Sequence, residues 1–274
     1  MNKVPLARSG KTALDVAREL AYEGGRVMMD RFHGEKQITE KGWANIVTDV
    51  DYEVEAMMLA RLKDEFPDFA ILAEESGAGG SESSYMWLVD PVDGTRNYAA
   101  GVPLFGTTLA LALEGEVVLG VTFDPNRGEL FRAEKGKGAF LNDVRLRASS
   151  RGSIETCVLG TDMGYNDGMA KFALKLLDAL WPGMQAIRIM GSAALGLAYA
   201  AAGRTDLYFH HHLAPWDIAA GIILGHETGA LVTNRNGDPI TLDSPNIILA
   251  PPALHADFLK LTEGLEWRER SDGY

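Results

Sequence analysis

Leu88-Val89-Asp90-Pro91-Val92-Asp93-Gly94-Thr95-Arg96-Asn97-Tyr98 is the stretch on which the reading of this chain turns. An apolar strand runs directly into a carboxylate, proline fixes the next φ, a second carboxylate follows at three residues, and glycine then frees the backbone. The spacing predicts Asp90 and Asp93 on one side of a strand-end turn, with the Val92 carbonyl left without a strand partner as a further hard oxygen. Clustered oxygen donors suit Mg²⁺, which is commonly shared with a substrate phosphate. If Gly94 and Thr95 open a helical turn, their N–H groups make an anion pocket beside the metal.

Upstream, the strand-like run 69–73 ends in Glu74-Glu75-Ser76, and before it lie two helical patterns. Ala13, Val16, Ala17, Leu20 and Ala21 repeat at helical spacing behind Thr12 and Asp15, a capping pair, over about 12–32. Val50, Val54, Met57, Met58 and Leu62 do so from Thr48 to Phe66-Pro67, with Asp51 and Glu55 on the opposite face. Downstream, runs 107–113 and 117–123 flank Glu114-Gly115-Glu116 as a tight antiparallel hairpin, and Gly136, Gly138 and Asn142 punctuate another. Strands and helices then alternate, with strands near 156–160, 186–189, 206–210, 231 and 247, and helices over 168–180, 192–202, 215–227 and from 252. This texture predicts two packed halves, 1–150 as α+β and 151–274 as α/β, with no linker between them.

The 274 residues and their 46% hydrophobic content supply a sizeable core, and no apolar run approaches bilayer length. The opening residues hold no apolar core of the kind a secretory signal needs, so the expected location is the cytoplasm. A lone cysteine, Cys157, excludes a disulfide framework and a cysteine-rich zinc module. The net charge of −12 repels nucleic acid and anionic membranes, and an anionic substrate would need positive charge recruited locally.

Each acidic fragment has a plainer reading. Asp-Pro-x-Asp-Gly is a serviceable turn, Glu74-Glu75 reads as a solvated pair, Asp217 in Trp216-Asp217-Ile218 serves the helix dipole, and Thr48-x-x-Asp51 is close to a capping box. Together they are harder to dismiss, because clusters of unpaired acids in so acidic a chain repel unless a cation lies between them. For His210-His211-His212, alternation along a strand argues against convergence on one ion, and a solvated edge or substrate-mouth turn is the plainer fate.

Taken in order, Asn45-Ile46-Val47-Thr48-Asp49-Val50-Asp51, Glu74-Glu75-Ser76, the 90–98 string, the Gly136 to Asn142 hairpin, Gly191-Ser192-Ala193-Ala194 and Trp216-Asp217-Ile218-Ala219-Ala220-Gly221 resemble the motifs of the inositol monophosphatase family. These are Mg²⁺-dependent, lithium-sensitive phosphatases of small phosphate monoesters. The resemblance implies a sugar-phosphatase fold layered α-β-α-β-α, two to three Mg²⁺ ions per site with Mn²⁺ as an alternative, and a homodimer. It implies that Glu74, Asp90 and the Val92 carbonyl hold one ion and Asp90, Asp93 and Asp217 a second. Thr95 and Glu74 would orient the attacking water, with Asp51 bonded to the Thr95 hydroxyl, while Gly94 and Thr95 bind phosphate and Gly191, Ser192, Ala193 and His210 contact the substrate. Where animal inositol enzymes carry a glutamate this chain has His210, Asn45 replaces the family's opening aspartate, and Lys41 is displaced by about one position. Inositol 1-phosphate leads the candidates, followed by histidinol phosphate, adenosine 3′,5′-bisphosphate and fructose 1,6-bisphosphate, with Arg188 and Arg204 available for a second phosphate. A regulatory binding protein is the rival from another class.

Overall fold

The structure is a computed structural model, describing residues 4–43 and 45–269. In chain order the elements are α1 (Ala13–Arg31), β1 (Ile38–Gly42), β2 (Asn45–Thr48), α2 (Asp49–Glu65), β3 (Ala70–Ala73), β4 (Gly77–Gly80), β5 (Tyr85–Asp93), α3 (Thr95–Ala100), β6 (Gly106–Leu113), β7 (Glu116–Asp124), β8 (Glu129–Glu134), β9 (Gly138–Leu141) and β10 (Val144–Arg145). The remainder are β11 (Val158–Thr161), α4 (Asp167–Leu180), β12 (Ala186–Ile189), α5 (Ala193–Ala201), β13 (Leu207–His210), α6 (Pro215–Thr228), β14 (Leu231–Thr233), β15 (Ile247–Ala250), α7 (Pro252–Leu261) and α8 (Glu266–Glu269).

These elements stack as α-β-α-β-α. An eight-stranded sheet, ordered β10-β9-β8-β7-β6-β5-β3-β4, carries α1 and α2 on one face and α6 with α5 on the other. A five-stranded sheet, ordered β12-β11-β13-β15-β14, closes over α5 and α6 from beyond, and α4, α7 and α8 cover its outer side. The central helices are built of small residues because they lie between two sheets: a Cβ on Gly120 of β7 would stand 2.7 Å from the Ala220 backbone of α6. Backbone approach of this kind excludes water and gains dispersion contacts over the whole helix.

Local chemistry follows the sequence in most places. Thr12 caps α1 by accepting from the Asp15 N–H at 3.1 Å. Leu113 pairs with Glu116 across Glu114 and Gly115, both at positive φ, the mirror-image turn that matches strand twist. β3 joins β5 in parallel, within a large sheet whose other pairs are antiparallel. Two features differ from the sequence reading. A short 3₁₀ turn, Ile154–Thr156, occupies the expected start of β11. The β1–β2 hairpin was unread because every residue of β1 is exposed and leaves no alternation.

Candidate active site

Asp90 and Asp93 close β5, and three steps along this strand match two along β6, since Asp90 pairs with Thr108 and Asp93 with Gly106. The extra residue is a bulge. It takes the Val92 carbonyl out of the ladder, though not out of all bonding, because the Thr95 hydroxyl lies 3.0 Å from it. Gly94 follows at φ +87°, and a Cβ there would meet the Leu104 and Gly191 carbonyls at 3.0 and 3.1 Å. Only glycine fits this turn, and α3 starts from it with its first N–H groups unpaired within the helix.

A cavity of about 680 Å³ opens over this turn. Glu74, Asp90, Val92, Asp93, Gly94, Thr95, Gly191, Ala193, His210 and Asp217 all border it. The carboxylates of β5, the β3 end and the first turn of α6 are therefore brought to one space. Parallel pairing of β3 with β5 aligns Ala73 with Val89, and the Glu74 N–H donates to the Val89 carbonyl at 3.1 Å, which sets Glu74 beside Asp90.

The four acids differ in their partners. Asp93 accepts from the Ser192 hydroxyl and from the N–H groups of Ala193 and Ala194, both at 3.1 Å. Asp217 accepts from the Ala214 N–H at 2.8 Å. Asp90 is 1% exposed, and its Oδ1 has no hydrogen-bond partner. Burial, then the charges of Glu74, Asp93 and Asp217, push the Asp90 carboxyl well above the usual carboxylate range. Burial and the Asp217 charge push Glu74 up to about 8. Burial, opposed by the Ala214 N–H, carries Asp217 to about 7, and burial, opposed by the Ser192 hydroxyl, carries Asp93 to about 6. Each acid is destabilised as an anion by its surroundings, which a divalent cation reverses.

Behind this wall, Asp51 is fully buried and lies on the other side of Thr95. Its Oδ1 is 3.0 Å from the Thr95 hydroxyl, while Oδ2 accepts from the N–H and hydroxyl of Thr48, completing the capping box of α2. The Thr95 hydroxyl has one proton and two acceptors within reach; given to Asp51, it leaves the Val92 carbonyl for another electropositive partner.

Several expectations need correction. Glu74 and Glu75 are not a solvated pair: Glu75 is nearly buried and pairs with Lys41 at 2.6 Å, whose ammonium also reaches Glu74 at 3.7 Å. Ser192 faces Asp93 and does not border the cavity, so it positions an acid where a substrate contact was expected. His210 and His211 are each 1% exposed, with rings stacked at 4.6 Å, so they are no solvated edge; β13 ends at His210 and alternation ends with it. Arg204 is bound by both Glu129 oxygens at 2.6 Å, Arg188 is exposed on β12, and neither borders the cavity.

Sequence reasoning also missed two holding acids. Glu55, one turn beyond Asp51 on α2, is buried and accepts from the N–H groups of Glu75 and Ser76 at 2.8 and 2.9 Å, pinning the turn that carries Glu74. The four-residue interval between Asp51 and Glu55 was the available signal. Asp162 accepts from the Met190 N–H at 2.8 Å, the Gly191 N–H and the Tyr208 hydroxyl, fastening the segment that borders the cavity opposite Gly94.

The match with known proteins extends over almost the whole chain. Residues 11–266 match the model of the inositol monophosphatase family. This chain belongs to the inositol monophosphatase family. Among its relatives, a protein of Haemophilus influenzae named Nus factor SuhB is 37% identical, covering 90% of this chain and 94% of its own. The fructose-1,6-bisphosphatase/inositol-1-monophosphatase of Thermotoga maritima is 36% identical, with the same shares covered. In structure, the extragenic suppressor protein suhB of Bartonella henselae matches at a TM-score of 0.87 and 36% identity, over 91% of this chain and 98% of that one. The Thermotoga maritima IMPase matches at 0.84 and 37%, over 92% and 97%. Family membership supports a phosphatase on the layered fold described above.

Residues of this inositol monophosphatase family site suit a hard cation. Among the described residues no three His, Cys, Asp or Glu side chains stand so that they could hold a metal ion as placed. The partnerless buried Asp90 Oδ1, the all-oxygen donors and the bulged Val92 carbonyl nevertheless match what Mg²⁺ requires. No helix among the described residues is long and apolar enough to cross a membrane.

Proposed function

We propose that this protein hydrolyses a small phosphate monoester with Mg²⁺, inositol 1-phosphate first among the candidates and histidinol phosphate or a bisphosphate next. The observation that carries the reading is the buried Asp90 oxygen without a partner, in a cavity shared with Glu74, Asp93 and Asp217 beside the Gly94-Thr95 turn. Glu74, Asp90 and the Val92 carbonyl would hold one ion, and Asp90, Asp93 and Asp217 a second; Mn²⁺ suits the same oxygens. Mg²⁺, when bound, neutralises phosphoryl oxygens and makes water acidic enough to attack at neutral pH.

The remaining work falls to the chain. N–H groups of Gly94 and Thr95 hold the phosphoryl oxygens at the open turn of α3. Asp51 accepts the hydrogen bond of the Thr95 hydroxyl, so a Thr95 lone pair accepts from the attacking water and fixes its direction. Glu74 is the second group toward which that water donates. Gly191, Ala193 and His210 border the space left for the alcohol portion. The family's usual homodimer is expected of this chain, and light scattering checks it.

Phosphate release from inositol 1-phosphate, histidinol phosphate, fructose 1,6-bisphosphate and adenosine 3′,5′-bisphosphate, with and without Mg²⁺, tests the reading. Mg²⁺-stimulated release from at least one ester supports it. Release from none, by a folded protein, overturns it and favours the regulatory binding protein; the Haemophilus influenzae relative is named a Nus factor.

A further inference from the structure

A chain at −12 with a cavity floored by carboxylates has little positive charge to offer an anionic guest. Among the described residues bordering the cavity, Arg96 is the one side chain with a fixed positive charge. It follows Thr95 in the first turn of α3. Its guanidinium is held twice, donating from Nη2 to the Gly164 carbonyl and lying 4.4 Å from the centre of the Tyr165 ring. Fixed in this way it loses little further freedom on binding, and it keeps other N–H donors for a planar anion.

Gly164 is also where His210 arrives. A Cβ on this glycine would lie 3.0 Å from His210 Cε1 and 3.5 Å from Nε2. The His212 N–H donates to His210 Nδ1 at 3.1 Å, so Nδ1 is the acceptor and the neutral ring carries its proton on Nε2. Burial, then the neighbouring His211 and His212, hold the ring neutral by pushing its pKa well below the ordinary histidine value. The acid on this wall, Asp162, is turned to Met190, Gly191 and Tyr208. A guanidinium and an imidazole N–H therefore flank Gly164 on a wall whose carboxylate is committed elsewhere.

We propose that this wall is a second anion subsite: the preferred substrate is a phosphate ester whose alcohol portion carries another phosphate or a carboxylate, received by Arg96 and the Nε2–H of His210. The proposal rests on the phosphatase reading and narrows it. A plain polyol satisfies the imidazole donor but leaves the guanidinium without an anion, whereas a second anionic group meets both.

The test is kcat/KM, with Mg²⁺, for two substrate pairs that differ in one anionic group: fructose 1,6-bisphosphate against fructose 1-phosphate, and 3-phosphoglycerate against glycerol 3-phosphate. Wild-type protein should prefer the doubly anionic member of at least one pair by about tenfold or more, mainly through KM. Preference in the first pair assigns the subsite to phosphate, and in the second to carboxylate. Arg96→Met should bring the ratio close to one. His210→Phe should lower it, and His210→Gln, which restores a donor near the Nε2 position, should recover most of it. No preference in either pair, or a ratio unmoved by Arg96→Met, overturns the subsite. Failure to release phosphate from any of the four esters, or from the wider panel, overturns the phosphatase reading itself.

Discussion

Asp90 and Asp93 leave the same strand and are both buried, yet one meets three donors and the other leaves an oxygen with none. The donors come from Ser192, Ala193 and Ala194, at the start of α5 and about a hundred residues further along the chain. Protein donors thus already orient Asp93, while Asp90 keeps an oxygen for which the protein supplies no donor. Depth does not separate the two acids; the supply of N–H and O–H groups does.

Substitutions on the two sides should therefore behave differently. Asp90→Asn removes negative charge where a cation is needed, and Mg²⁺-dependent phosphate release should fall by about 10³-fold or more, with the folded state retained or stabilised. Turnover near wild type would erase the distinction. Thr95→Ala should lower kcat by about 10²–10³-fold while calorimetric Mg²⁺ binding persists, because the hydroxyl directs water and is not itself a ligand. Equal loss of binding and rate would move Thr95 into the metal set. Glu55→Ala frees the Glu75 and Ser76 N–H groups and should cost about 10–100-fold in activity through misplacement of Glu74, with weaker Mg²⁺ affinity as its separate signature. Gly120→Ala lies outside the cavity and should cost about 1–3 kcal/mol of stability by forcing α6 from the sheet, read from the denaturation midpoint. Its kcat for the folded fraction should stay within about twofold of wild type.

Much of this contrast was legible in the chain, and its gaps have physical causes. Helices declared themselves by period and caps, as Thr12 and Thr48 show, and the Asp-Pro-Val-Asp-Gly turn announced clustered oxygens. The fates of Glu55 and Asp162 were hidden, because a carboxylate opposite a helix's apolar stripe, or after a strand, reads as solvated until tertiary contacts bring N–H groups to it. Which acid is satisfied also depended on a contact between Asp93 and Ser192, almost a hundred residues apart, that no local pattern encodes. For the histidine run, strand periodicity was carried two residues past the end of β13; the solvated edge fails, whereas the substrate-mouth turn fits His210 and His212, which border the cavity.

Calorimetric titration of Mg²⁺ into wild-type protein and Asp217→Asn bears most directly on whether distant acids share one cation site. Asp217 comes from the first turn of α6, far in sequence from Glu74 and Asp90, and borders the same cavity. The expected result is Mg²⁺ affinity at least about tenfold weaker in the variant, with its thermal unfolding preserved. Mg²⁺ affinity and stoichiometry identical to wild type would contradict a shared site.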